Sequence, residues 1–228
     1  WLSSHNVGAV LVSGWNEQYL RSAITWCRSH KIPFVVWADS NIRSDTVTGW
    51  RRLVKNTLLP RFLAGCQALL CCGSLGREFF RKYGVPDEHI FYCPYEPDYD
   101  QLERLDPAVI KAVVDRLKLD PARRRFVVSS RLVQHKRVDL AIDAFIALAA
   151  ELPLWDLVVL GGGPLLAQLQ ASVPEALRHR VIFTGFIGEQ EEVTAVYRAS
   201  HVLIHPSNYE PWALVINEAA AAGSSLAL

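Results

Sequence analysis

The sequence predicts an α/β fold built from two doubly wound, Rossmann-like domains with parallel sheets, both incomplete. Three observations carry this. Short apolar runs alternate with longer amphipathic ones from end to end. The apolar runs are rich in Val, Ile, Leu and Phe without polar alternation, the pattern of parallel strands covered on both faces. A stretch rich in Pro, Asp and Tyr near residue 100 interrupts the alternation, which then resumes.

In order, VGAVLVSG (7–14) reads as a strand, NEQYLRSAITWCRSHK as a helix and PFVVWAD (33–39) as a strand. A helix through WRRLVKNTLLPRFL, strand ALLCCG (68–73), helix REFFRKYG and strand HIFYCP (89–94) complete the first half. CPYEPDYDQLERLDP (93–107) has no helical or strand period and reads as the crossing between domains 1–104 and 105–228. After a helix opened by Pro107 come strand FVVSS (126–130), helix KRVDLAIDAFIALAAEL and strand DLVVLGGG (156–163). Then follow helix PLLAQLQ, strand RVIFTGF (180–186), helix EQEEVTAVYRAS and strand HVLIHPS (201–207). Strand–helix units of this length imply parallel sheets with right-handed crossovers, whose ligands bind at the carboxyl ends of strands.

With 228 residues, the chain suits one large or two modest domains. A net charge of +1 gives no global field toward nucleic acid, and no apolar run is long enough to span a membrane. The chain opens with Trp1, contains no Met and ends at SSLAL as a strand begins, so a fragment lacking both ends is expected. Five cysteines without C-x-x-C spacing (Cys27, Cys66, Cys71, Cys72 and Cys93) argue against a zinc site or disulfide framework and for small buried side chains in a reducing compartment.

Three constellations carry candidate chemistry. In PSNYEPWALVINEAAAAG (206–223), Glu210 follows a strand and Glu218 lies eight residues on, with Pro211 expected in a helix's first turn and Gly223 at its stop. A ligand along that helix can touch both acids; the plainer account is a dipole-favoured acid at the helix start and a solvated Glu218. In SSRLVQHKR, Arg131 and Lys136 follow a strand, suited to a diphosphate or to an ordinary surface. Gly161, Gly162 and Gly163 allow close backbone approach, but Leu166 breaks the G-x-G-x-x-G pattern.

RLVQHK, LGGGP, VIFTGF and PSNYEPWALVINEAAAAG occur in the order seen in retaining glycosyltransferases of the GT-B fold, and the chain resembles family 4, often called glycosyl transferases group 1. The resemblance is strong over 124–225 and lies mainly in layout over 7–100. It implies two domains facing across a cleft, the first on the acceptor side and the second binding a nucleotide-sugar. It assigns Arg131 and Lys136 to the diphosphate, Glu210 to the donor sugar and Glu218 to the ribose. The backbone around Gly185 and Phe186 would lie against the base, and the amides of Trp212, Ala213 and Leu214 near the phosphates.

The implied reaction is metal-independent sugar transfer with retention to a glycan or lipid-linked acceptor, without a cofactor, in polysaccharide or glycoconjugate biosynthesis. No protein nucleophile is implied. The resemblance further implies action in the cytoplasm, with peripheral contact at the inner membrane face as an option. A non-catalytic nucleotide-binding remnant and a nucleotide-sugar epimerase are the alternatives. The chain departs from the family pattern at Arg137 and Ala213, where Gly is usual, and at Trp212, where Phe is usual. Asp39, Ser40 and Asn41 stand where a His is often found, and the family's amino-terminal Gly-rich loop is absent.

Other features read more plainly. DYD (98–100) sits in a linker, not at a strand end, and reads as solvated acids. Trp50, Leu53, Val54, Leu58 and Phe62 at helical spacing read as a half-buried core face with Arg51, Arg52, Lys55 and Arg61 outward, ahead of a helix lying on an anionic membrane. His135, His201 and His205 read as structural, and Trp15, Tyr19 and Trp37 as core packing.

Overall fold

The computed structural model describes residues 2–228; Trp1 lies outside the described residues. Two compact units divide between Tyr95 and Glu96.

In the first unit β1 (Val10–Ser13), α1 (Gln18–His30), β2 (Phe34–Ala38), α2 (Gly49–Leu63), β3 (Ala68–Cys71), α3 (Ser74–Lys82) and β4 (Ile90–Tyr92) follow one another. The strands are parallel and lie in chain order, β1-β2-β3-β4. Right-handed crossovers in one direction put successive helices on one face. Val12, Val36, Leu69 and Ile90, in register across the sheet, are buried with Ile24, Leu59, Leu63, Phe79 and Phe80. Leu11 and Phe91 on the other face are exposed, so the expected burial on both faces holds here for one face among the described residues.

Helix α2 reverses its expected orientation. Trp50 and Leu53 are 69% and 70% exposed, Val54 and Leu58 are also exposed, and Leu59 and Leu63 are the buried residues. The cause is Asp45, whose buried carboxylate takes hydrogen bonds from Lys55 (2.8 Å), Lys82 (2.5 Å) and Tyr83 (2.9 Å). Arg52 donates to the carbonyls of Asp45 and Val47. Pairing a buried charge outweighs burying an apolar stripe, and it turns the Arg52 and Lys55 side of the helix inward.

The second unit opens with α4 (Tyr99–Glu103) and α5 (Pro107–Arg116). The expected domain boundary at residue 104 therefore moves. Asp98 caps α4 by accepting from the Gln101 amide, Leu102 is buried, and Arg198 donates to the Leu102 carbonyl. A five-residue helix is too short to show a 3.6-residue period, which is why 93–107 reads as irregular.

Then come β5 (Arg124–Ser129), α6 (Val138–Leu148), β6 (Trp155–Leu160), α7 (Leu166–Ser172), β7 (Val181–Gly185), α8 (Gln190–Arg198), β8 (Val202–Ile204), α9 (Leu214–Ala221) and β9 (Ser225–Ala227). All strand pairs are parallel, in the order β7-β6-β5-β8-β9, which reverses direction at β5/β8. Both faces are covered. Val128, Val159 and Leu157 pack with Ile142, Phe145 and Leu169 on one face, and Val127, Val158 and Leu203 with Val196, Tyr197 and Ala219 on the other.

Candidate functional site

A cavity of about 660 Å³ opens at the carboxyl ends of β5 and β6, beside the β5/β8 reversal. Crevices at such a reversal are where α/β sheets bind ligands, because the crossovers on either side diverge to opposite faces. Ser129, Ser130 and Arg131 line it from the end of β5, and Gly161, Gly162 and Gly163 from the loop after β6. The glycines are required by packing. A Cβ at Gly161 would stand 2.0 Å from the Ser130 carbonyl oxygen, and one at Gly163 would stand 2.5 Å from that of Leu132. Gly161 also takes φ +137°.

Lys136, Glu210, Trp212, Ala213, Leu214 and Glu218 line the same cavity. The four charged residues singled out by motif thus share one space. Phe186 joins them on the loop after β7, 82% exposed, whereas Gly185 stands behind the wall and accepts from the Gly161 amide. Helix α9 begins at Leu214, not at Pro211, which puts Glu218 fifth in the helix, little more than one turn in. Ala213 has φ −97°, so no glycine is needed there. Arg137 is at φ 49°, in the left-handed region where the family's Gly would be unstrained.

The two acids have opposite surroundings. Lys136 donates to Glu210 Oε1, and His205 Nε2 lies 3.0 Å from the same oxygen. Burial pushes the Glu210 carboxyl up, but hydrogen bonds from His205, Lys136 and Ser207 outweigh it and bring the pKa down to about 2. At Glu218, burial raises the pKa and only neutral groups oppose it. Gln190 donates at 3.2 Å to one oxygen and the Tyr197 hydroxyl stands 3.5 Å from the other. Arg131 makes no side-chain hydrogen bond or ion pair among the described residues. Among the described residues, the cavity therefore holds a cation without a charged partner (Arg131), an ionised acid paired with a cation (Glu210) and an acid that no cation offsets (Glu218).

His205 is the site residue that sequence reasoning missed. Of the three histidines read as structural, His201 pairs with the Arg125 amide and His135 stacks on Tyr209, while His205 lines the cavity. Its place at the end of β8, five residues before Glu210, was the available signal. Ser130 lines the cavity as well, and its Oγ is buried with no partner among the described residues.

Elsewhere, Asp98 and Asp100 of DYD cap α4 and pair with Arg104. Trp15 packs on Phe79 and Phe80, Tyr19 is exposed, and Trp37 lines a small cavity of about 150 Å³ with Asp39, Ser40 and Tyr95. Four cysteines are buried and Cys93 is exposed, all with free thiols. Among the described residues, no helix is long and apolar enough to cross a membrane.

A doubly wound sheet with cations and acids gathered at the strands' carboxyl ends defines a Rossmann-like ligand-binding domain. The chain belongs to the family of glycosyl transferases group 1, which matches residues 110–225, just over half of it. It is 27% identical over 213 residues to a GDP-mannose-dependent α-(1-6)-phosphatidylinositol dimannoside mannosyltransferase of Mycobacterium tuberculosis, covering 90% of this chain and 53% of that protein. It is 26% identical over 151 residues to mannosylfructose-phosphate synthase of Agrobacterium fabrum, covering 62% and 33%. The chain thus spans about a third to a half of the length of these curated relatives. Anabaena Alr3699/HepE, solved with UDP and glucose, has the same fold, with a TM-score of 0.77 at 18% identity over 99% of this chain and 60% of that one.

Proposed function

We propose that this chain belongs to a retaining glycosyltransferase that moves a sugar from a nucleotide-sugar to a glycan or lipid-linked acceptor. The observation that carries this is the convergence of Arg131, Lys136, Glu210 and Glu218 on one cavity. Arg131, Lys136 and the amides of residues 212–214 take the diphosphate, Glu210 the sugar, Glu218 the ribose, and the backbone at Phe186 the base; Gly185, outside the lining, takes no part. As the sugar–phosphate bond breaks, negative charge grows on the leaving diphosphate; each fixed donor lost there costs on the order of 3 kcal/mol of transition-state stabilisation. The acceptor attacks from the leaving-group face, so no protein nucleophile is assigned, and the charge is carried by protein groups without a metal. The small cavity lined by Trp37 and Asp39 supports a sugar acceptor.

The same reading sets the activity in the cytoplasm against a membrane face. Helix α2 supports this, with an exposed Trp50–Leu53–Leu58 stripe, exposed Arg51 and Arg61, and no acid. Co-sedimentation with phosphatidylglycerol vesicles should be lost in L53E; equal sedimentation of both proteins would remove this element.

The test is a thermal-shift and transfer panel of UDP-, GDP- and ADP-sugars, with GDP-mannose and UDP-glucose first, since relatives name GDP-mannose and a neighbour was solved with UDP-glucose. A shift with transfer that survives EDTA supports the reading. A shift without transfer or donor hydrolysis points to a remnant, sugar inversion without acceptor points to an epimerase, and no shift with any donor overturns it.

A further inference from the structure

We propose that Gln190 and Tyr197 are positioning residues that hold the Glu218 carboxylate as acceptor for a vicinal diol, and so set a preference for ribonucleotides over their deoxy counterparts. The proposal rests on the ribose reading of Glu218 above and adds how that carboxylate is aimed.

Gln190 opens α8 and Tyr197 lies seven residues on, which returns to the same helix face within about 20°. That face meets α9 at Glu218. Gln190 Nε2 lies 3.2 Å from Oε1 and the Tyr197 hydroxyl 3.5 Å from Oε2, one contact on each carboxylate oxygen. The phenol is almost wholly buried and lies 2.7 Å from Ser129 Oγ at the end of β5. A bond between two hydroxyls can run either way, and with Ser129 donating, the phenol proton is left for the carboxylate.

A carboxylate has about four acceptor positions, so two neutral contacts fix its plane and leave the rest for a ligand. A cation in their place would cancel the charge that makes it a strong acceptor, as Lys136 does at Glu210. Among the described residues none reaches Glu218, although it lines the cavity and burial disfavours its ionised form. A carboxylate so placed pairs naturally with two adjacent hydroxyls. A group needed only for packing gains nothing from retaining its charge there.

The experiment is calorimetric titration of the chain with UDP, GDP and ADP, each against its 2′-deoxy and 3′-deoxy form. The wild type should prefer the ribonucleotide by roughly 10- to 100-fold, the worth of one hydrogen bond to a charged group. Q190M and Y197F should narrow that ratio by about 3- to 10-fold while leaving deoxynucleotide affinity nearly unchanged, and E218Q should abolish it. Gln190 is only half-buried, so Q190M remains readable if Y197F loses structure. A loss confined to packing would lower all affinities together and leave the ratio intact. An unchanged ratio in Q190M and Y197F, with E218Q narrowing it, overturns the positioning role and keeps the ribose reading. No ribonucleotide preference in the wild type, or none lost in E218Q, removes both.

Discussion

Lys136 and Glu210 form an ion pair on the cavity wall, joining the loop after β5 to the loop after β8. Before any ligand enters, the cation proposed for the diphosphate is thus held by the acid proposed for the sugar. A diphosphate must compete with Glu210 for Lys136, which makes the two positions one unit.

E210Q should release Lys136. Nucleoside diphosphate is expected to bind as tightly as before or severalfold tighter, while sugar transfer falls by about 100-fold or more. K136A should instead weaken diphosphate binding by roughly 10- to 100-fold. Calorimetry with a transfer assay checks both; equal losses of binding in the two variants would refute the coupling.

The pH dependence has opposite signs at the two acids. Glu210 has a folded pKa near 2 against an ordinary 4.5, so its stabilisation is present above 4.5 and lost as pH falls toward 2. Glu218 has a raised folded pKa, so its ionisation opposes folding once pH rises through 4.5 and the raised value. E218Q should therefore melt higher than wild type at pH 7 and about equally at pH 4, while E210Q melts lower at pH 7. Melting curves at both pH values check this.

Arg137 occupies a left-handed backbone position at φ 49° and pairs with Asp139 at 2.9 Å. A non-glycine residue there costs roughly 1–2 kcal/mol, and an exposed pair returns less than about 1 kcal/mol. R137G should stabilise the chain by up to about 1 kcal/mol in urea unfolding, and R137A, which keeps the Cβ, should not.

Gly163 approaches Leu132 too closely for a side chain, with an added Cβ 2.5 Å from its carbonyl oxygen and 2.8 Å from its nitrogen. G163A should cost about 1–3 kcal/mol by forcing the loops apart. Nucleotide binding should weaken with it, because both loops line the cavity. Urea unfolding and titration read the two effects separately.

Asp45 anchors the first unit. Burial raises its carboxyl pKa, but bonds from Lys55, Lys82 and Tyr83 outweigh it and hold it well below the ordinary range. D45A removes the acceptor of two partly exposed ammonium groups and of the buried Tyr83 hydroxyl and should cost on the order of 1–3 kcal/mol, the penalty for a buried polar group left unpaired. Intrinsic Trp fluorescence of Trp15 and Trp37 would follow it.

The alternation of elements, the parallel sheets and the four charged residues of the cavity were legible in the sequence. Each depends on local period or on motif order along the chain: FVVSS and DLVVLGGG are continuous apolar runs, and Glu210 and Glu218 belong to one contiguous motif. What the sequence could not show is which side of α2 faces inward and whether the 93–107 stretch holds a helix. Those were decided by partners distant in the chain: Lys82 and Tyr83 hold the Asp45 carboxylate that turns Lys55 inward, and Arg198 drew Leu102 and its short helix into the second unit. A hydrophobic pattern reports how each segment would bury itself alone, whereas a buried charge is settled only when its counter-charge arrives from elsewhere in the fold.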